Sequence, residues 1–181
     1  PTDSDSNNTY VVVVRATDAA SNTSDQTLTV SVSNVDDTNP LIKGPSGTEG
    51  DATSSVAINE NVSTVNTFTA DETVTWSLNG GDDSALFAIN SSTGALSFSS
   101  APDYESPTDS DSNNTYDVVV RATDAASNTS DQTLTVSVSD VDDTNPSIKG
   151  PSGTEGDATS SVSINENVST VNTFTADETV T

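Results

Sequence analysis

Oxygen-bearing side chains are concentrated in two short acidic segments of the chain. The segment Ser139-Asp140-Val141-Asp142-Asp143-Thr144-Asn145-Pro146 carries four Asp or Asn residues, and Asp36-Asp37-Thr38-Asn39-Pro40 is nearly the same. The residue before a proline is pushed toward extended backbone, so we expect the carboxylates to point to several sides of a short connector. Such a set suits a hard cation with six to eight oxygen ligands, calcium rather than magnesium. The alternative is a solvated acidic linker, which an acidic run by itself favours.

The composition excludes several kinds of function. The chain has 28 acidic and 4 basic residues, a net charge of -24, and no His or Cys. The charge argues against binding nucleic acid or anionic membrane surfaces. Without His or Cys, a Ser-His-Asp triad, thiol chemistry and disulfides are excluded. The pair Asp82-Asp83 lies in a predicted turn without a cleft, so we expect no enzyme. The sequence contains no apolar run of about 18 residues, so we expect no membrane insertion in this segment.

The chain repeats itself, because residues 1–75 return as residues 107–181, a period of 106 residues. The copies differ only at Val11/Asp117, Asn34/Asp140, Leu41/Ser147 and Ala57/Ser163. This period is a whole domain, longer than a solenoid unit of about 20–50 residues. We therefore predict a tandem array, with 1–40 the C-terminal part of one repeat, 41–146 a complete repeat and 147–181 the N-terminal part of the next. Since strands without partners are unstable, we expect neighbouring chains or copies to complete the end fragments.

Alternation of apolar and polar residues predicts β-strands throughout. One apolar face is formed by Tyr116, Val118, Val120 and Ala122, and another by Leu134, Val136 and Val138. Further strands are predicted at 55–59, 65–70, 73–78, 86–89 and 95–99. Seven alternating strands in about 100 residues favour an all-β, immunoglobulin-like sandwich over disorder, although few aromatics and high acidity are typical of disorder. The expected core also includes Val56, Ile58, Val65, Phe68, Trp76, Leu78, Phe87, Ile89, Leu96 and Phe98.

Five motifs, in order, resemble those of a cadherin repeat. They are Asn59-Glu60-Asn61, the strand–turn–strand from Phe87 to Leu96, Asp103-Tyr104-Glu105, Ala122-Thr123-Asp124 and the acidic segment that ends at Pro146. The resemblance covers the whole period. It implies seven-stranded Greek-key sandwiches joined end to end, with up to three calcium ions at each junction, in a large extracellular surface protein or adhesin of bacterial type.

The resemblance also implies the metal ligands. At the junction after the central repeat they would be Glu60, Asp103, Glu105, Asp140, Asp142, Asp143, Asn145 and Asp177. At the junction before it they would be Asp36, Asp37, Asn39, Asp71 and Asp124. The sequence departs from the family at Asp71-Glu72-Thr73, where the family has Asp-x-Asp, so one carboxylate is missing or displaced. Tyr104 stands where the family has Arg, and Asp142-Asp143-Thr144 stands for its Asn-Asp-Asn. We therefore expect at least two ions per intact junction.

These features predict a calcium-stiffened extracellular stalk or fibre of a cell-surface adhesin, with adjacent copies of the repeat as its partners, packed end to end or side by side. The alternative is an adhesive module with homophilic or glycan contacts, but near-identical copies favour a spacer.

One further acidic segment, Asp109-Ser110-Asp111-Ser112-Asn113, resembles the start of an EF-hand loop. The Gly and Glu that such a loop requires are replaced by Asn114 and Val120, so we predict an Asx-rich turn.

Overall fold

The computed structural model describes residues 7–177 as an almost entirely β-structured chain. It divides into two compact units, residues 7–138 and 139–177. The first unit contains the hairpin β1 (Thr9–Thr17) and β2 (Thr23–Ser31), followed by a β-sandwich. Within residues 7–177, no helix is long and apolar enough to cross a bilayer.

The sandwich is built from nine strands and one turn of 3-10 helix at Ser84–Leu86. The strands are β3 (Ile42–Lys43), β4 (Thr53–Asn59), β5 (Thr64–Thr67), β6 (Thr69–Ala70), β7 (Thr75–Leu78), β8 (Phe87–Ile89), β9 (Ala95–Phe98), β10 (Thr115–Thr123) and β11 (Thr129–Ser139). One sheet has the order β4-β11-β10-β7 and the other β5-β9-β8, while β3 pairs with β6. Strand β10 is central and antiparallel to both β11 and β7.

The alternating pattern of β10 and β11 is expressed as alternating burial. Every second residue of β10 from Tyr116 to Ala122 is fully buried, and the intervening residues are half-buried. The ten further residues predicted for the core are all buried in it or packed against it. Tyr116 meets the ring of Phe98 edge-on, with ring centroids 5.0 Å apart, and Phe98 lies 4.3 Å from Phe87. The core prediction is therefore confirmed, including Trp76, which is 5% exposed.

A strand overlaps each of the seven predicted segments, but the sandwich has nine strands, and three differences stand out. The strand predicted at 65–70 is interrupted at Phe68, whose side chain is buried and whose amide donates to the carbonyl of Gly94 at 2.9 Å. Gly94 has a φ of 71° and a Cβ there would lie 2.6 Å from the Phe68 carbonyl oxygen, so this approach requires glycine. The short strand β3 was not predicted, and Leu86 belongs to the 3-10 turn rather than to a strand.

The hairpin repeats the pairing of β10 with β11 residue for residue. Tyr10 faces Val30 as Tyr116 faces Val136, and an ion pair joins Arg15 to Asp25 as another joins Arg121 to Asp131. The aliphatic residues of the hairpin are nevertheless exposed, as is Val11 on its other face. At the matching position Asp117 is half-buried and accepts a hydrogen bond from the Thr135 hydroxyl at 2.7 Å. Nearly identical strands thus form the same hairpin in two different surroundings.

The turn before β10 is stabilised by Asp109, as predicted for an Asx-rich turn. The buried carboxylate of Asp109 accepts hydrogen bonds from the amides of Asn113 at 2.6 Å and Asn114 at 3.3 Å. Burial disfavours the ionised form, but these donors outweigh it and hold the pKa of Asp109 below its usual value. The carboxylate therefore has a structural role in this turn.

The second unit contains one short strand pair, β12 (Ile148–Lys149) with β13 (Thr175–Ala176). Its register, Ile148 opposite Ala176, repeats that of Ile42 opposite Ala70 in the β3–β6 pair. Residues 159–165, the sequence counterpart of β4, have no regular secondary structure in the described chain. This unit therefore has the counterpart of the β3–β6 pair, but not a counterpart of strand β4.

Candidate metal centre

Three carboxylates converge at one end of the sandwich. Glu60 directly follows β4, and Asp103 and Glu105 lie in the loop between β9 and β10. One carboxylate oxygen from each of the three lies within 4.8 Å of the others. Glu60 is 2% exposed, whereas Asp103 and Glu105 are exposed. The structure thus brings together three residues that the resemblance assigned to a common junction.

Backbone hydrogen bonds fix the orientation of these carboxylates. The amide of Tyr104 donates to Glu60 Oε2 at 2.7 Å, and the amides of Glu105 and Ser106 each donate to Asp103 Oδ1 at 3.1 Å. The amide of Asn61 donates to the Pro102 carbonyl at 2.9 Å, which ties the end of β4 to the same loop. Backbone amides therefore position the carboxylates of Glu60 and Asp103.

A second group of carboxylates joins the segment after the hairpin to the sandwich. Asp36 lies between β2 and β3, Glu72 between β6 and β7, and Asp124 directly after β10. One oxygen from each lies within 4.8 Å of the other two. The amide of Asn128 donates to Asp124 Oδ1 at 2.8 Å, and its side-chain nitrogen donates to Asp124 Oδ2 at 2.7 Å. The same nitrogen donates to the backbone carbonyl of Asp36 at 3.2 Å.

The surroundings shift the pKa values of Glu72 and Asp124 in opposite directions. Burial and the negative charges of Asp124, Asp36 and Asp71 raise the pKa of Glu72 above its ordinary value. Burial also acts to raise the pKa of Asp124, but the hydrogen bonds from Asn128 outweigh it and hold that pKa below the ordinary value. Glu72 therefore bears the electrostatic cost of bringing these carboxylates together.

Glu72 was not among the predicted ligands, and Asp71 was. The carboxylate of Asp71 accepts a hydrogen bond from the amide of Leu41 at 2.7 Å, and its assignment to a metal site stays a prediction. The altered Asp71-Glu72-Thr73 motif was the available signal, because its unexpected second residue is the one that reaches Asp36 and Asp124. The side chain of Asp36 also accepts from the Thr38 hydroxyl at 2.9 Å, while Asp37 and Asn39 are exposed in the same segment, which has no regular secondary structure.

The remaining predicted ligands lie in the second unit. Asp140, Asp142, Asp143 and Asn145 are exposed in a segment of the described chain without regular secondary structure. Asp177 accepts a hydrogen bond from the amide of Ser147 at 2.8 Å, as Asp71 does from Leu41. Their assignment to a metal site stays a prediction.

Both groups have the spacing and the donor type that a calcium ion requires. Oxygens that bind one calcium ion at 2.3–2.6 Å lie no more than about 5 Å apart, and the oxygens of each group satisfy this limit. The sequence has only 4 basic residues, and the two arginines are paired with Asp25 and Asp131. The two arginines therefore neutralise carboxylates outside both groups.

Comparison with solved structures shows which fold this is. A structure of human CDH23 EC21-23 aligns over 93% of this chain and 53% of its own length, with 24% identity and a TM-score of 0.53. The protocadherin gammaB7 EC3-6 cis-dimer structure aligns over 83% of this chain and 38% of its own, with 19% identity and a TM-score of 0.52. Extracellular cadherin domains 3-6 of protocadherin gamma B2 align over 83% and 37%, with 17% identity and a TM-score of 0.53.

The chain spans about half the length of these structures or less. No protein-family model matches the sequence. No curated protein matches it either. The similarity at this level of identity concerns architecture, and it agrees with the strand order and core described above. The chain has a cadherin-like β-sandwich fold.

Proposed function

We propose that this chain is a calcium-stiffened repeat of an extracellular stalk or fibre, belonging to a surface adhesin. The observation that carries the proposal is the pair of carboxylate groups, Glu60–Asp103–Glu105 and Asp36–Glu72–Asp124, each with its oxygens within 4.8 Å. The cadherin-like fold supports an extracellular structural or adhesive module rather than an enzyme.

Electrostatics explains why a cation would matter for this chain. Two carboxylates about 5 Å apart repel by roughly 0.8 kcal/mol even at the dielectric constant of water, and each group contains three such pairs. In the absence of a divalent cation, the cost is borne by the folded arrangement, as the raised pKa of Glu72 indicates. A bound calcium ion would attract all three carboxylates of a group and offset their repulsion. It would therefore hold together the segments that carry them.

The second group, Asp36–Glu72–Asp124, suggests which parts of the chain a calcium ion would hold together. Asp36 belongs to the segment that connects the hairpin to the sandwich, whereas Glu72 and Asp124 belong to the sandwich. A calcium ion held by all three would fix that connecting segment against the sandwich. By the resemblance, Asp140, Asp142, Asp143, Asn145 and Asp177 would serve the following junction together with Glu60, Asp103 and Glu105.

In an array of repeats, calcium binding at each junction would affect the stiffness of the whole array. Strand β11 has 11 residues, which at about 3.3 Å per residue spans about 36 Å. An array of near-identical repeats would therefore gain length in steps of this order, and calcium at each junction would restrict bending. Side-by-side contacts between arrays are a second possibility, since one structure of similar fold is a protocadherin cis-dimer.

Calcium titration of the intact chain tests the proposal. Isothermal titration calorimetry is expected to detect saturable calcium binding, and small-angle X-ray scattering is expected to show a longer, stiffer particle in calcium than in chelator. Magnesium at the same concentration serves as the control for general charge screening. Identical scattering curves and the absence of binding heat in calcium would overturn the proposed function.

A further inference from the structure

The turn that precedes β10 contacts the loop that carries Asp103 and Glu105. The side-chain nitrogen of Asn114 donates to the backbone carbonyl of Tyr104 at 3.0 Å. Tyr104 lies between Asp103 and Glu105 in the sequence, and its amide donates to Glu60 Oε2 at 2.7 Å. The backbone of Tyr104 is therefore held on one side by a member of the first carboxylate group and on the other side by this turn.

The turn itself, residues 109–114, is fixed to the sandwich by two buried carboxylates. Asp83 and Asp109 are 4% and 5% exposed. Asp83, which lies between β7 and the 3-10 turn, accepts hydrogen bonds from the amides of Ser110 at 2.8 Å and Asp117 at 2.9 Å. Asp109 accepts hydrogen bonds from two amides within the turn. The position of the turn is therefore set by its contacts with the sandwich.

The backbone of Asn114 is held at both of its polar groups. Its amide donates to Asp109 Oδ1 at 3.3 Å, and its carbonyl accepts from the amide of Val138, near the end of β11, at 2.9 Å. Its φ of 62° is in the left-handed region, which asparagine adopts more readily than most residues. The side chain of Asn114 therefore extends from a defined position toward the loop that carries Tyr104.

The amide group of Asn114 is oriented to serve Tyr104. Its nitrogen donates to the Tyr104 carbonyl, whereas its oxygen is buried and accepts no hydrogen bond from the described residues. The reversed orientation would place that oxygen against the carbonyl oxygen of Tyr104, and two acceptors repel each other. A buried oxygen without a donor is unfavourable, so the orientation satisfies the Tyr104 carbonyl at the expense of the side chain's own oxygen.

We propose that Asn114 is a positioning residue for calcium at the group Glu60–Asp103–Glu105. By holding the carbonyl of Tyr104, it keeps the loop that carries Asp103 and Glu105 beside Glu60. Contacts that orient metal ligands contribute to metal affinity although they do not touch the ion. The proposal rests on the proposed function and deepens it. The acidic turn that resembles the start of an EF-hand loop would serve calcium indirectly, through Asn114, without binding the ion itself.

Calcium titration of an Asn114→Gly variant tests this role. Glycine adopts the same backbone conformation but removes the donor to Tyr104. Loss of an orienting contact typically lowers metal affinity by about 10- to 100-fold, and isothermal titration calorimetry is expected to show one class of sites weakened by such a factor. Ser112→Gly is the matched control, because Ser112 is exposed in the same turn at a φ of 57°. Its calcium affinity is expected to equal that of the unmodified chain.

Two further measurements separate positioning from a general effect on stability. In chelator, the amides of Tyr104 and Glu105 are expected to exchange their hydrogens faster in Asn114→Gly than in Ser112→Gly, because their loop has lost its contact with the turn. In a Glu60→Gln background, Asn114→Gly is expected to cause no further loss of calcium affinity, because both changes act on the same group.

The failure of this proposal is distinguishable from the failure of the proposed function. If the unmodified chain binds calcium but Asn114→Gly binds it equally well, the positioning role is overturned and the proposed function stands. Equal weakening by Asn114→Gly and Ser112→Gly, or a further loss of affinity in the Glu60→Gln background, would also overturn the positioning role. If the unmodified chain binds no calcium, both proposals fail.

Discussion

Asn128 connects the carboxylate of Asp124 to the segment that precedes the sandwich. Its side-chain nitrogen donates to Asp124 Oδ2 at 2.7 Å and to the backbone carbonyl of Asp36 at 3.2 Å. The contact with Asp124 does not require the sandwich, because Asn22 makes the same one to Asp18 in the exposed hairpin, at 2.8 Å. Asn128 also contacts Asp36, which belongs to the segment between the hairpin and the sandwich. Asn128 is therefore suited to position two members of one carboxylate group.

Substitution of Asn128 should weaken calcium binding without unfolding the sandwich. In Asn128→Ala the Asp124 carboxylate loses a donor, and the loss of such an orienting contact typically lowers metal affinity 10- to 100-fold. Isothermal titration calorimetry would measure this as the weakening of one class of sites. Asn22→Ala removes the equivalent contact in the hairpin and should leave calcium affinity unchanged. Equal effects of the two substitutions would contradict a positioning role for Asn128.

Calcium affinity at the group containing Glu72 should depend on pH. The raised pKa means that ionised Glu72 disfavours the calcium-free fold, fully above the raised value and not at all below the ordinary one. Calcium requires the ionised form, so affinity should increase as pH rises through that window while calcium-free stability decreases. Thermal melts and calcium titrations across this pH range measure both trends.

Glu72→Gln should remove both trends at once. The variant is expected to be more stable than the unmodified chain in chelator at neutral pH, and to bind calcium more weakly. Glu155→Gln, at an exposed position outside both carboxylate groups, provides the same change of charge as a control. If Glu155→Gln reproduced the behaviour of Glu72→Gln, the effect would belong to net charge rather than to this group.

The sequence was sufficient to predict the parts of the structure that depend on alternation. Tyr116, Val118 and Val120 are buried because every second residue of β10 is apolar, and such a pattern has only one face to bury. The grouping of Glu60 with Asp103 and Glu105 followed from the resemblance, since 43 residues separate Glu60 from Asp103 and local rules do not connect them. Glu72 was not among the predicted ligands, because its closeness to Asp36 and Asp124 depends on tertiary contacts that local sequence rules do not give.

Neutralising Glu60 should separate the contribution of calcium to the stability of the fold from the contribution of packing. Glu60→Gln retains an oxygen that can accept from the Tyr104 amide but removes one charge from the group. In chelator the melting temperature should stay the same or rise, because fewer like charges are brought together. In calcium, a ligand at 100 times its Kd stabilises the fold by about 2.7 kcal/mol, and most of this gain should be lost.

Glu49→Gln is the matched control for this substitution, since Glu49 is exposed and outside both carboxylate groups. Its melting temperature should rise with calcium as in the unmodified chain. A calcium-induced rise that persists in Glu60→Gln would show that this group does not bind the ion.

Gln132 offers a test of the sandwich that is independent of calcium. Its side chain is fully buried and joins β11 to the start of β4 through Asp51 and Ser54. Gln132→Ala leaves those two groups without their partner and opens a cavity, so the free energy of unfolding should fall by about 2–3 kcal/mol. Gln26→Ala removes the identical residue from the exposed hairpin and should change stability by no more than about 0.5 kcal/mol. Urea unfolding of dilute protein in chelator, followed by the fluorescence of the single tryptophan, Trp76, measures both. Equal destabilisation by the two substitutions would mean that burial against β4, the one difference between these sites, contributes nothing to the role of this glutamine.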